Sequence, residues 1–98
     1  MIRHMLFWNI APEVADRGAL LGRLRAAFAE LKAACPGLVE ARVDPALPGS
    51  THDLALYCEF TDRAALDAYQ EAPLHRAFQA GVRDLLRDRV CADMEVRP

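Results

Sequence analysis

The sequence predicts an α+β fold of the ferredoxin-like type, a four-stranded antiparallel sheet with its helices packed on one face. Two kinds of periodicity support this prediction. Apolar residues recur at helical spacing in two long segments, and they alternate with polar residues in shorter segments, as they do in strands. In chain order the segments read β-α-β-β-α-β, and in that topology the first and third strands form the centre of the sheet. A chain of 98 residues is expected to form one domain, spanning residues 1–98.

The first strand and the first helix are predicted from the N-terminal third of the chain. Residues 2–9 have the apolar character of a strand, and residues 16–34 have the periodicity of a helix. Asp16 is a suitable N-cap, and the Cys-Pro-Gly sequence at 35–37 ends the helix. The apolar stripe of this helix consists of Leu20, Leu24, Phe28 and Leu31.

Two further strands are predicted in the middle of the chain. In residues 38–44, Val39, Ala41 and Val43 alternate with charged residues, as in a strand that is apolar on one face. A segment rich in proline, glycine and serine follows and is predicted to be a loop. Residues 53–60 then form the third strand, which is apolar on both faces.

Proline divides the second helical segment. A short helix begins at Thr61–Asp62 and carries Tyr69, and Pro73 interrupts it because the proline ring clashes with the preceding turn. A second helical piece is predicted over about residues 74–87, with one face made of His75, Phe78, Val82, Leu85 and Leu86. Residues 89–96 form the last strand, in which Val90, Ala92, Met94 and Val96 alternate with polar residues or cysteine.

The two central strands carry apolar residues on both faces. One face is covered by the helices. The other would expose Met5, Phe7, Ala55 and Tyr57 to water, a patch that small monomers usually avoid. We therefore predict a homodimer in which two such sheets pack face to face. The alternative is that a loop or the C-terminal tail covers the patch.

Composition narrows the possible partners and the compartment. The formal net charge is −2 and the basic residues are scattered, so a nucleic-acid partner is not expected. The apolar N-terminus is too short to span a membrane and lacks the features of a cleaved signal. The three cysteines are far apart and are expected to be reduced thiols. Together these features predict a cytoplasmic protein.

The residues resemble a known family, the stress-responsive A/B barrel domain or Dabb family. The resemblance covers nearly the whole chain, and its most typical features are His4, Asp53, the Glu59–Phe60 pair and the Tyr-x-x-x-Pro-x-His sequence at 69–75. It implies a dimeric α/β barrel built from two ferredoxin-like subunits. Members of the family include proteins linked to plant stress tolerance and a polyketide cyclase that closes a linear tetraketide by aldol condensation.

The resemblance also implies roles for individual residues. By analogy with the cyclase, His75 is a catalytic base and Tyr69 a donor, and no cofactor is expected because aldol chemistry needs none. The chain departs from the family pattern at Ala72, where a histidine is common. It also departs at Leu54, where the cyclase has a further histidine, so the cavity and its ligand are expected to differ.

The residue types themselves allow both a functional and a structural interpretation. His75 and Tyr69 either line a cavity or serve as buried core groups. His4 is either an auxiliary polar group of the site or a hydrogen-bond partner of a neighbouring strand or carboxylate. Beyond these, the residues expected to form core and cavity wall are Trp8, Phe28, Phe60 and Phe78.

Other polar residues are given lesser roles. Asp53 and Asp93 are expected to cap strand edges or to make contacts between subunits. His52 is expected to be solvated in a turn, and a three-histidine metal site of His4, His52 and His75 lacks any close ligand spacing.

The sequence therefore leaves two main hypotheses of function. The first is a small-molecule-binding, cofactor-independent enzyme of the cyclase or lyase type. The second is a non-catalytic homodimer that acts in a stress response or as a structural protein. A weaker third hypothesis, drawn from related dimeric barrels, is a monooxygenase or a haem-contacting protein.

Overall fold

The computed structural model describes residues 1–97 and has the predicted ferredoxin-like topology. The elements are β1 Ile2–Ile10, α1 Arg17–Ala34, β2 Leu38–Pro45, β3 Leu54–Phe60, α2 Arg63–Glu71, α3 Pro73–Val82 and β4 Leu86–Glu95. The sheet is antiparallel throughout, with strand order β2-β3-β1-β4, so that β1 and β3 are central as expected. The three helices pack on one face, which we call the inner face, and none of them lies on the opposite, outer face.

The core lies between the inner face and α1. Alternate residues of the central strands point into it, because successive side chains of a strand lie on opposite faces. Each buried leucine or phenylalanine contributes about 1.5–3 kcal/mol through the apolar area that it removes from water. The central residues of this core are Leu6, Trp8, Leu24, Phe28, Leu31, Leu54, Leu56, Cys58 and Phe60, all 6% exposed or less.

The helices begin where the sequence signals place them. The carboxylate of Asp16 accepts a hydrogen bond from the backbone of Ala19 at 2.9 Å, and Asp62 does the same for Ala65 at 2.8 Å. Such caps stabilise a helix by about 1 kcal/mol. Within residues 1–97, no helix has both the length and the apolar character needed to cross a membrane.

Two predictions were wrong, one on the end of a helix and one on the buried side of a strand. The helix predicted to run to residue 87 ends at Val82, and Leu86 is the first residue of β4. Leu86 is buried on the inner face of the strand, so its apolar character fitted a helix and a strand equally. In β2, Val39 was expected on the buried side but is exposed, since the register with β3 shifts between Leu38 and Glu40.

A β-bulge in β4 decides which of its side chains face the helices. Phe7 pairs with Val90 and Asn9 with Arg87, so two residues of β4 oppose the single residue between them in β1. Asp88, in this bulge, has the left-handed φ of 55°, which aspartate tolerates better than most residues. After the bulge the inner side of β4 consists of Arg89, Cys91, Asp93 and Glu95, and its apolar side lies on the outer face.

Candidate functional site

A cavity of about 340 Å³ lies between the inner face of the sheet and helices α1, α2 and α3. This volume is at the lower end of the range typical of small-molecule sites, roughly 300–1,000 Å³. The cavity is lined by His4, Leu6 and Trp8 of β1, Phe28 of α1, Leu56 of β3, Tyr69 and Gln70 of α2, His75, Phe78, Gln79 and Val82 of α3, Arg83 after α3, and Leu86 and Arg89 of β4. All six residues given a candidate role from the sequence therefore border one space: His4, Trp8, Phe28, Tyr69, His75 and Phe78.

Tyr69 and His75 face each other across the break between two helices. α2 ends at Glu71, Ala72 is extended, and Pro73 is the first residue of α3. Proline suits that position because its missing N–H would be unpaired there in any case. The sharp change of direction brings the two rings to a centroid distance of 4.3 Å. The proline-containing stretch is thus both a helix break and the element that positions this pair.

His4 is held by a carboxylate on the neighbouring strand. Asp93 pairs with His4 across β1 and β4, and its Oδ1 lies 2.5 Å from Nδ1 of His4. Because an ionised carboxylate only accepts hydrogen bonds, Nδ1 carries the proton, and in the neutral imidazole Nε2 is then the acceptor. The sequence-based alternative that His4 pairs with a carboxylate is confirmed, and Asp93 as its partner was missed. The expectation for Asp93 itself, a strand-edge cap or a contact between subunits, did not include this pair with His4.

Three polar atoms in the cavity have no partner. Among residues 1–97, nothing forms a hydrogen bond with the Tyr69 hydroxyl, with Nε2 of His75 or with Nε2 of His4. The two histidine rings form hydrogen bonds through Nδ1 alone. The same residues contain no inaccessible side-chain nitrogen or oxygen that lacks a partner. These three atoms are therefore accessible, and all three residues line the cavity.

Burial sets the protonation states of the Tyr69–His75 pair. It lowers the pKa of His75, while a long contact of 3.4 Å between its Nδ1 and the backbone oxygen of Gln70 partly opposes the change. His75 is consequently neutral near pH 7, and the Gln70 contact favours a proton on Nδ1 and a free Nε2. Burial raises the pKa of Tyr69, so its hydroxyl keeps its proton and remains able to donate.

Aromatic rings form a further part of the cavity wall. Phe28 and Phe78 pack edge to face with centroids 4.9 Å apart, and Trp8 lies 6.5 Å from Phe28. The cavity thus combines an apolar wall with a few polar atoms, an arrangement typical of sites for small organic molecules.

The histidines do not converge as a three-histidine metal site would require. His52 lies on the outer face, where its ring is 6.1 Å from that of Phe7, and its Nε2 is 3.0 Å from the backbone oxygen of Asp88. It lies in a bend before β3 and is half-buried, so the expected solvated turn residue is only partly exposed to water. Asp53 caps the end of β1 as expected, since its carboxylate accepts a hydrogen bond from the backbone of Ile10 at 2.8 Å.

A different trio of potential metal ligands was not anticipated from the sequence. His4, Cys91 and Asp93 each offer one ligand atom, and these atoms lie within 4.8 Å of one another. Cys91 and Asp93 follow each other on the inner side of β4 only because of the bulge at Asp88. In this arrangement Nδ1 of His4 is hydrogen-bonded to Asp93. We therefore interpret the three residues as a hydrogen-bonded group.

Solved structures with the same fold are numerous. A dimeric ferredoxin-like protein of unknown function from Jannaschia sp. CCS1 is 28% identical, with a TM-score of 0.75 and coverage of 97% of this chain and 98% of that one. A dimeric ferredoxin-like protein of unknown function from Thermobifida fusca YX is 26% identical, with a TM-score of 0.80 and coverage of 97% and 90%. Hydroxynitrile lyase from Passiflora edulis is 14% identical, with a TM-score of 0.82 and coverage of 98% and 93%. Its low identity shows a shared fold alone.

The family is shown by a comparison of the sequence itself. Among curated proteins, none matches this sequence significantly. The profile of the stress responsive A/B barrel domain, Dabb, matches residues 2–96, which includes every strand and helix of the fold and all six candidate residues that line the cavity. The chain therefore belongs to the stress responsive A/B barrel domain family.

Proposed function

We propose that the cavity between the sheet and the helices binds a small organic molecule, and that the protein is a cofactor-independent enzyme of the polyketide-cyclase type. His75 acts as the base and Tyr69 as the donor, with His4 as an auxiliary polar group. One observation carries the proposal: Nε2 of His75, the Tyr69 hydroxyl and Nε2 of His4 have no partner among residues 1–97, and their residues line one cavity together with aromatic and aliphatic side chains.

The pair has the protonation states that an aldol cyclisation requires. A base must remove a proton from the carbon next to a carbonyl, and a donor must stabilise the enolate or alkoxide that develops. Neutral His75 takes up the proton at Nε2, since its pKa is lowered by burial. Tyr69 keeps its proton because burial raises its pKa, and its hydroxyl donates to the oxygen on which charge accumulates.

His4 serves as a positioned acceptor in this proposal. Asp93 accepts the Nδ1 proton, with its Oδ1 2.5 Å from Nδ1, and this contact fixes the orientation of the ring. The ring lies 6.2 Å from that of Tyr69, edge to face, so that Nε2 of His4 and the Tyr69 hydroxyl serve the same part of the cavity. A hydroxyl or enol group of the ligand would donate a hydrogen bond to Nε2.

A purely structural role for the same residues is less well supported. Buried polar groups that serve only the core are normally paired with each other or with the backbone. Tyr69 and His75 are in ring contact, yet within residues 1–97 they form no hydrogen bond with each other. The Passiflora edulis hydroxynitrile lyase adds that the fold is used by an enzyme, and no more than that.

We also propose that the protein is a homodimer joined through the outer face. The apolar patch of this face consists of Met5, Phe7, Ala55, Tyr57, Val90, Ala92 and Met94. Phe7 is 37% exposed, Val90 47% and Met94 46%, which is unusual for adjacent large apolar side chains on a small monomer. Similar proteins from Jannaschia and Thermobifida are described as dimeric, which supports the same assembly here.

A ligand screen with matched variants tests the proposed site. A library of small ketones, enols and ketide thioesters is screened by thermal shift against the wild type, His75→Ala, Tyr69→Phe and His52→Ala. Compounds that stabilise the wild type are expected to stabilise His52→Ala equally, since His52 is outside the cavity, and to lose their effect on His75→Ala. Equal shifts in the wild type and His75→Ala would count against the site.

Catalysis is tested separately from binding. The N-acetylcysteamine thioester of a linear tetraketide is incubated with each protein, and the aromatic product is followed by absorbance. The wild type is expected to accelerate cyclisation, and His75→Ala and Tyr69→Phe are each expected to be slower by on the order of 10²-fold or more, the usual contribution of a positioned acid or base. Binding without acceleration would leave a non-catalytic binding protein.

A further inference from the structure

We propose that the natural ligand of this cavity is an organic anion, a carboxylate attached to an apolar body, and that Arg83 and Arg89 bind its carboxylate. This inference rests on the proposed function, because it specifies the class of molecule that the same cavity accepts. The apolar body lies against the aromatic wall and extends toward Tyr69 and His75.

The first argument is the charge of the cavity lining. Arg83 and Arg89 both line the cavity, and no aspartate or glutamate does. Within residues 1–97 neither arginine forms an ion pair or a side-chain hydrogen bond, and both are exposed to solvent at the cavity. Arg3 and Arg76 are also without an ion pair among these residues, but they do not line the cavity, whereas Arg17, Arg25, Arg42, Arg63 and Arg87 have carboxylate partners. In a chain of net charge −2, two unpaired arginines at one cavity favour an anion, and the planar guanidinium group matches a carboxylate.

The second argument is the backbone that presents Arg89. Without the bulge at Asp88, residues 86, 88 and 90 would share the inner side of β4 and Arg89 would point away from the helices. The bulge places Arg89 on the cavity side instead, a use of bulges that is common beside functional sites. The bulge is also secured from outside the strand, because Asn9 donates a hydrogen bond to the Asp88 carboxylate at 2.9 Å and His52 contacts the Asp88 backbone oxygen.

The third argument is that the charge of Arg89 reaches the polar pair. Burial is the main cause that lowers the pKa of His75, and the positive charge of Arg89 lowers it further. The same charge opposes the effect of burial on the pKa of Tyr69. Arg89, Tyr69 and His75 also line one and the same cavity, so the proposed ligand places its carboxylate at Arg89 and its carbonyl at Tyr69.

The test uses matched pairs of probes that differ only in charge. A panel of arylalkanoic acids, each with its primary amide, is titrated calorimetrically at low ionic strength into the wild type, Arg83→Gln, Arg89→Gln and Arg87→Gln. Arg87→Gln is the control, because it removes the same charge from the same region but Arg87 pairs with Glu13 outside the cavity. His75→Ala reports whether a probe occupies the cavity.

We expect acids to bind the wild type and Arg87→Gln more tightly than their amides by on the order of tenfold. In Arg83→Gln and Arg89→Gln this ratio is expected to fall toward one, while the affinity for the amides is kept. Acids and amides that bind the wild type equally, with loss of both in His75→Ala, would overturn the anion inference and leave the proposed site intact. An equal loss of acid preference in Arg87→Gln would also overturn it, and no binding by any probe would count against both proposals.

Discussion

Burial governs the behaviour of the two polar rings beside Pro73. Tyr69 is 1% exposed and His75 9%, and at such positions the charged form of either side chain loses its hydration. Both residues are therefore held neutral, one as an acceptor and the other as a donor.

The lowered pKa of His75 has a measurable consequence for stability. The folded-state pKa lies below the ordinary value of 6.5, so the unfolded chain takes up a proton first as the pH falls. Stability is complete above pH 6.5, decreases as the pH falls from 6.5 to the folded pKa, and is constant below it as far as this group is concerned. We expect the unfolding free energy from urea titrations to decrease over this window in the wild type and to decrease less in His75→Gln. An NMR titration midpoint for His75 at or above 6.5 would contradict the assignment.

The pair of His4 and Asp93 is predicted to stabilise the fold. Asp93→Ala removes the acceptor of the Nδ1 proton of the buried His4 ring. Since the Asp93 side chain is 39% exposed, water replaces part of the interaction, and we expect a loss of about 1 kcal/mol. Glu95→Ala, on the same side of the same strand, is the control and is expected to change stability by less than about 0.5 kcal/mol. Equal effects of the two substitutions in chemical denaturation would argue against the pair.

The residues of the cavity were predictable to different degrees. His75, Tyr69 and the aromatic residues follow from helical or strand periodicity together with the family resemblance, and the structure places them around one space. Asp93 and Arg89 were missed because both depend on the bulge at Asp88, which reverses the two sides of β4. The available signal was the set of charged residues at alternate positions 89, 93 and 95, with Cys91 among them, which is unexpected on the inner side of a strand.

Among the elements, the turn between α1 and β2 depends on one glycine. Gly37 has a φ of 87°, and its carbonyl accepts a hydrogen bond from Thr61 that ties this turn to the start of α2. A Cβ at this position would lie 2.5 Å from Cβ of Ala65 and 2.9 Å from Oγ1 of Thr61. The turn was predicted from the Cys-Pro-Gly sequence, whereas the contact with α2 is a tertiary feature that local sequence does not encode.

Substitution of Gly37 separates backbone strain from steric conflict. We expect Gly37→Ala to lower the unfolding free energy by about 2–4 kcal/mol, because it combines an unfavourable φ with a clash. Gly49→Ala is the matched control, since its φ is 91° and a Cβ added there would have no neighbour within 4 Å; it should cost about 1–2 kcal/mol. If the two substitutions destabilise equally in denaturant titrations, the packing of Gly37 against α2 is incorrect.

At the scale of the whole molecule, the two central strands are apolar on both faces of the sheet, as their alternation predicted. The inner face forms the core and the cavity, and in the proposed dimer the outer face packs against a second copy. The contribution of Val90, Ala92 and Met94 to the outer face again depended on the register of β4 and could not be read from one strand alone.

A charge on the outer face is predicted to separate the dimer. Val90→Asp places a carboxylate among the apolar side chains of this face, where burial without a partner is costly. We expect the mass in solution, measured by light scattering, to fall from twice 10.9 kDa to 10.9 kDa. Ala26→Asp adds the same charge to the exposed surface of α1 and is expected to leave the dimer unchanged. A wild type that is already monomeric would contradict the proposed assembly.

The most direct test of the ligand site is the imidazole NMR spectrum of the three histidines during titration with a compound from the screen. His4 and His75 line the cavity, and His52 lies on the outer face as an internal control. We expect the signals of His4 and His75 to shift together along one binding curve while that of His52 stays in place. A ligand that shifts His52 and leaves His4 and His75 unchanged would show that small molecules bind elsewhere, and the proposed site would have to be abandoned.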